Sequence, residues 1–140
     1  MAHSLYALAF LLVGDKILLL RRSGAAFGDG LYGVIGGKVN FGETARQAAQ
    51  REIKEEVGLD IPADKLSLVH TFHRKGTETE FAAFCFFADI TGLTPRNCEP
   101  NKHDDMRFVA LTELPQNIIP AHEQAIHCFT QKITYSEHGW

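Results

Sequence analysis

Apolar residues fall in short runs along the chain, separated by segments rich in glycine, proline or charge. The first run, residues 5–13, is broken by Gly14-Asp15-Lys16 before a second at 17–20. Two short apolar runs around such a break predict a β-hairpin. Strands are predicted at 6–13, 16–21, 32–35, 66–74, 80–90 and 106–110, and helices at 45–57 and 121–133. The run "FAAFCFFADI" at 81–90 is too apolar for an exposed strand, which places it centrally in a sheet. Residues 92–105, "GLTPRNCEPNKHDD", form the longest irregular stretch, and a loop of that length in a compact domain is more often functional than idle.

The first helix carries its own boundaries. Thr44 followed by Gln47 is a capping-box pattern, and Gly58-Leu59 is a stop with a hydrophobic contact. Ala45, Ala48, Ala49, Ile53 and Val57 form a stripe of helical period, and Arg46, Gln50 and Lys54 lie on the side opposite Glu52, Glu55 and Glu56. Glu52, Glu55 and Glu56 fall at i, i+3 and i+4, where like charges repel unless a cation lies between them. One reading is a solvated face partnered by Arg51 and Lys54. The other is a divalent ion, since oxygen-rich clusters suit Mg²⁺ or Mn²⁺ and the preceding glycines let a backbone carbonyl approach.

Length and charge narrow the classes. At 140 residues the chain fits one domain, 1–140, without linker or internal repeat. A net charge of −3 with scattered basic residues argues against a nucleic-acid-binding surface. Cys85, Cys98 and Cys128 are widely spaced and odd in number, which fits reduced thiols in the cytoplasm. No apolar run is long enough to span a membrane. His70, His73, His103, His127 and His138 lack metal-ligand spacing and receive no role.

Gly37, Glu43, Arg51, Glu52, Ile53, Glu55, Glu56, Gly58 and Leu59 fill every fixed position of the Nudix box, G-x5-E-x7-R-E-U-x-E-E-x-G-U with U aliphatic. The box spans 37–59, and the chain resembles small, MutT-like members of the Nudix hydrolase superfamily. The resemblance implies an α/β fold: an α/β/α sandwich with a mixed β-sheet between helices, in which a strand-loop-helix presents the box. It also implies a metal-dependent pyrophosphohydrolase that cleaves a nucleoside diphosphate linked to another group. Small size, and the absence of marks known from dinucleoside polyphosphate, ADP-ribose and coenzyme A hydrolases, favour a (deoxy)nucleoside triphosphate cut to monophosphate and pyrophosphate. The rivals are a sugar-nucleotide hydrolase (GDP-mannose or ADP-ribose type), an isomerase and a non-catalytic nucleotide sensor.

Carried over residue by residue, the resemblance assigns Glu52, Glu55, Glu56 and the Gly36 carbonyl to Mg²⁺, with Mn²⁺ as a substitute. Glu43 and Arg51 match a supporting pair. The general base is Glu55, Glu52 or a glutamate recruited from a distant loop, for which Glu99 is favoured and Glu80 stands behind it. Arg22 resembles a phosphate-contacting arginine, with an ordinary surface arginine as the alternative, and Phe27 an aromatic residue near the base or a plain loop anchor. His122 and Glu123 match a region that reads the base edge, although an ordinary first helical turn explains them as well. Ile35 and Asn40 depart from the proline and glutamate common in relatives. A small-molecule nucleotide is the expected partner, without nucleic acid or membrane, and a homodimer is left open.

Overall fold

The computed structural model describes residues 2–140. In chain order it contains β1 (Ala2–Val13), β2 (Lys16–Arg22), β3 (Tyr32–Gly33), β4 (Ile35–Lys38), α1 (Ala45–Val57) and a 3-10 turn at Ala63–Lys65. These are followed by β5 (Ser67–Lys75), β6 (Thr79–Asp89), β7 (His103–Ala110), α2 (Pro120–Thr130) and β8 (Tyr135–His138).

Strand β1 is the hub. It runs parallel to β6 along its length, from His3↔Glu80 to Leu12↔Asp89. Its other edge is shared by two antiparallel partners. β2 pairs only at the turn, Leu12↔Ile17 and Val13↔Lys16, and β4 pairs from Tyr6↔Lys38 to Ala9↔Ile35. β2 therefore leaves β1 beyond the hairpin and continues against β7, from Lys16↔Ala110 to Arg22↔His103. The sheet order is β3-β2-β1-β6-β5-β8, with parallel and antiparallel pairs mixed. β6 is central, as its unbroken apolar sequence requires.

Alternation along β1 divides two cores. Ala7, Ala9 and Leu11 meet Ala48, Ala49, Ile53 and Val57 of α1 on one face. Leu8, Phe10 and Leu12 meet Ala121, Ala125 and Ile126 of α2 on the other. The result is the expected helix-sheet-helix sandwich. It explains why the central strands are apolar at successive positions, since neither face is left to water.

Several boundaries differ from expectation. The segment 32–35 is two strands, because the chain changes partner at Val34: Tyr32 and Gly33 pair with β2, and Ile35 onward with β1. α2 ends at Thr130, where Lys132 at φ 59° turns the chain and Ile133 N–H returns to the Cys128 carbonyl. β7 begins at His103 rather than 106, lengthened by its ladder to β2. β8 was not expected. This short polar strand docks parallel to β5, and buried His70 holds it through the Ile133 carbonyl (2.7 Å) and Ser136 Oγ (2.8 Å). Among the described residues no helix is long and apolar enough to cross a membrane.

Candidate active site

The frame of α1 is fixed at both ends. Thr44 Oγ1 accepts from Gln47 N–H (3.0 Å), Gln47 Oε1 accepts from Thr44 N–H (2.9 Å), and Gly58 closes the helix in the left-handed region. The glutamates are then graded by burial, because α1 rests its Ile53–Val57 side on the sheet. Side-chain exposure is 7% at Glu56, 15% at Glu52 and 49% at Glu55.

Arg51 neutralises only part of this cluster. Its guanidinium grips Glu43 with two bonds, Nη2 to Oε1 at 2.7 Å and Nε to Oε2 at 3.2 Å. It also donates to the Lys38 carbonyl (3.0 Å) and Glu52 Oε1 (2.9 Å), and lies 3.5 Å from Glu55 Oε2. Lys54 turns away to Asp60. Glu56 receives one hydrogen bond, from Gly36 N–H at 3.0 Å. Among the described residues no arginine or lysine pairs with it. Burial first, and then the neighbouring Glu52 charge, push the Glu56 carboxyl well above the usual range. A buried carboxylate short of positive charge suits a divalent ion.

The double glycine brings the loop to this cluster. A Cβ at Gly36 would strike the Ala7 carbonyl and Leu8, and one at Gly37 would strike the Glu52 carboxylate. Glycine at both positions is what lets β4 lie tightly between β1 and the helix. Asn40 donates its N–H to Glu43 Oε1 (2.8 Å) and its carbonyl accepts from Glu43 N–H (3.1 Å), so the turn stays tied to the Arg51 bracket. Ile35 is buried in the α1 core.

The long irregular stretch is pinned to the end of α1. Arg96 N–H bonds the Val57 carbonyl (3.1 Å) and Cys98 N–H the Glu56 carbonyl (3.0 Å). Asn97 braces the loop inside, donating to the His103 carbonyl (2.7 Å) and accepting from Glu99 N–H (3.2 Å). Glu99 is thereby half-buried beside Glu52 and Glu56, with Lys102 Nζ 3.2 Å from its carboxylate. Glu80 does not line the acidic cavity: it sits between His3 (3.7 Å) and His73 (3.4 Å), on the wall of a second, larger cavity. His103, given no role from sequence, enters the site: Nε2 is 3.8 Å from Glu56 Oε1, and Nδ1 is buried without a partner. Desolvation lowers its pKa. Its spacing carries no signal, and only the β2–β7 register, Arg22↔His103, brings it here.

Two cavities meet at this point. The acidic one, about 390 Å³, is lined by Arg22, Gly36, Glu52, Glu56, Glu99 and His103 among others. The larger, 580 Å³, is lined by Phe27, Phe72 and His122, and shares Arg22, Val34 and Gly36 with the first. That volume lies in the range of small-molecule sites, roughly 300–1,000 Å³. Buried His122 accepts from Val34 N–H on Nδ1 (3.1 Å), so the neutral ring carries its proton on Nε2, and burial pulls its pKa down to about 3. Glu123, expected beside it, instead lies exposed on a different depression with Leu111, Pro120, Gln124 and His127, because successive helical residues point about 100° apart. Glu55 sits on the outer lip, outside the lining of the acidic cavity. Among the described residues no three His, Cys, Asp or Glu side chains already close on one point. An unclosed set fits Mg²⁺, which keeps water and substrate phosphate among its ligands.

The fold is a mixed α/β sandwich in which carboxylates of the capped helix α1 line one cavity and a larger cavity adjoins it. The NUDIX domain profile matches residues 3–129, and the chain belongs to that family. It is 35% identical over 102 residues to an ADP-ribose pyrophosphatase of Methanocaldococcus jannaschii, covering 73% of this chain and 59% of that protein. It is 36% identical over 97 residues to an oxidized purine nucleoside triphosphate hydrolase of Danio rerio, covering 67% and 56%. The chain thus spans a little over half the length of these curated relatives. Among solved structures it resembles a MutT NUDIX hydrolase from Burkholderia pseudomallei, with TM-score 0.82 and 27% identity over 91% of this chain and 98% of that one.

Proposed function

We propose that this chain is a divalent-metal-dependent pyrophosphohydrolase of a nucleoside diphosphate linked to another group, with a (deoxy)nucleoside triphosphate as the preferred class. The observation that carries the reading is the shared wall of the two cavities: Arg22, Val34 and Gly36 line both the carboxylate cluster and the larger pocket. A phosphate chain entering there would meet carboxylates at one end and apolar and aromatic side chains at the other.

Glu56 and Glu52, joined by Glu55 from the outer lip, would hold Mg²⁺ or Mn²⁺, which supplies charge neutralisation and an acidified water. Glu99 accepts the proton of the attacking water, since the loop fixes it at the same cavity. Arg22 meets the phosphates, and His122 offers Nε2–H to the group seated in the larger pocket. The three cysteines are free, two of them buried, which fits a reducing cytoplasm. A sensor without activity is disfavoured because no box glutamate is lost from the sequence.

The two curated relatives differ in what they hydrolyse, by name ADP-ribose and an oxidized purine nucleoside triphosphate. That difference keeps a sugar-nucleotide substrate as the second reading. A nucleotide panel with Mg²⁺ in ¹⁸O-labelled water separates the cases. Monophosphate with labelled pyrophosphate indicates attack at the β phosphorus of a triphosphate, and labelled monophosphate indicates attack at α. Orthophosphate and a nucleoside diphosphate as products would overturn the reading.

A further inference from the structure

Arg22 differs from the other arginines near the site. Arg21 pairs with Asp104, Arg107 with Asp105, and Arg51 with three glutamates. Among the described residues no carboxylate lies within ion-pair distance of Arg22, although it lines a cavity containing Glu52, Glu56 and Glu99. Its partner is the loop at 23–31. The Phe27 ring lies 5.6 Å from the guanidinium carbon, and the Phe27 carbonyl accepts from Nη1 at 3.4 Å.

The loop is closed on the same residue. Arg22 N–H donates to the Leu31 carbonyl (2.9 Å), and Gly30 N–H donates to the Arg22 carbonyl (2.8 Å). Gly28, at φ 72°, presses against the arginine stem: a Cβ there would lie 3.1 Å from Arg22 Cδ. Ring, carbonyl and glycine backbone all act on one side chain.

From this arrangement we infer that Phe27 is a positioning residue for Arg22 and not a platform for the base. It holds the guanidinium unpaired at the junction of the two cavities, ready for a substrate phosphate. Phe27 is 61% exposed, so its ring stands at the rim, with one face given to the arginine. A cation over an aromatic face is attracted to it and loses rotamer freedom, and neither effect depends on the base. The inference rests on the proposed phosphate role of Arg22.

The test is equilibrium binding of two ligands, with Ca²⁺ in place of Mg²⁺ to slow turnover. One is a deoxynucleoside triphosphate. The other is methyl triphosphate, which keeps the anhydrides and lacks base and sugar. Phe27→Ala should weaken both by the same factor, about three- to tenfold, and Phe27→Tyr should recover most of the loss. In an Arg22→Ala background, Phe27→Ala should add nothing further. A loss confined to the nucleotide, or one that persists without Arg22, overturns the inference in favour of base stacking. Failure of the wild type to bind either ligand overturns it as well. Failure of the wild type to hydrolyse the nucleotide panel defeats the pyrophosphohydrolase reading instead, and leaves the binding comparison to judge Phe27 alone.

Discussion

The two helices that enclose the sheet reach the site in opposite ways. α1 is bounded by its own side chains, Thr44 and Gln47 at the start and Gly58 at the end, and shows polar residues on most of its surface. α2 has no side-chain cap, begins with Pro120 at its first position, and buries Ala121, His122, Ala125, Ile126 and Cys128. The bounds of α1, and the spacing of its glutamates on one side, therefore follow from local sequence alone. α2 depends on docking to decide that His122 faces the cavity and Glu123 does not. A local signal is trustworthy for function where the element is self-bounded, and weaker where packing sets the rotation.

The comparison is broken most sharply at Glu56. Glu56→Gln should lower turnover by more than about a hundredfold while the fold survives. Metal-free melting should be unchanged or higher, because a neutral amide replaces a buried carboxylate crowded by Glu52. Activity together with wild-type metal affinity in that variant would remove α1 from the chemistry.

Arg51→Lys comes next. Lysine cannot reproduce the two-bond grip on Glu43 while also reaching Lys38 and Glu52. Stability should fall by about 2 kcal/mol and activity with it. Chemical denaturation and steady-state kinetics read the two losses separately. Loss of activity at an unchanged unfolding midpoint would show that the self-bounded loop and helix do not need this bracket.

An effect that vanishes near neutral pH probes α2. The folded pKa of His122, about 3, lies below its ordinary value near 6.5. Between those values the unfolded chain binds more protons, so stability is full above pH 6.5 and falls as the solution is acidified. The slope from this residue is at most about 1.4 kcal/mol per pH unit. His122→Asn, whose side-chain oxygen can still accept from Val34 N–H, should flatten the acid limb of a stability–pH curve relative to wild type. Parallel curves would mean that docking of α2 does not hold the ring neutral.

Much of the site was legible because its parts lie close in sequence. The capping pattern, the glutamate spacing and the glycines before the helix are all local, and the capped helix spans the residues expected of it. The hairpin and the central β6 followed from runs of apolar residues. Three things escaped. β8 is short and polar, and becomes a strand only because the free edge of β5 supplies hydrogen-bond partners. The split at Val34 comes from a change of neighbouring strand, which no periodicity records. His103 reaches Glu56 across a sequence gap set by β-register.

The sequence by itself determined the alternation that makes two cores, the bounds of α1, and the placing of Glu52, Glu55 and Glu56 on one side of it, because helix and strand periods are properties of consecutive residues. Only the tertiary structure decided which glutamate is buried, that Glu99 joins them while Glu80 does not, and that Arg22 stays free of carboxylates. Those outcomes depend on the loop pinned to Val57 and Glu56 and on the sheet order, and distance in space between remote residues is set by how the whole chain packs.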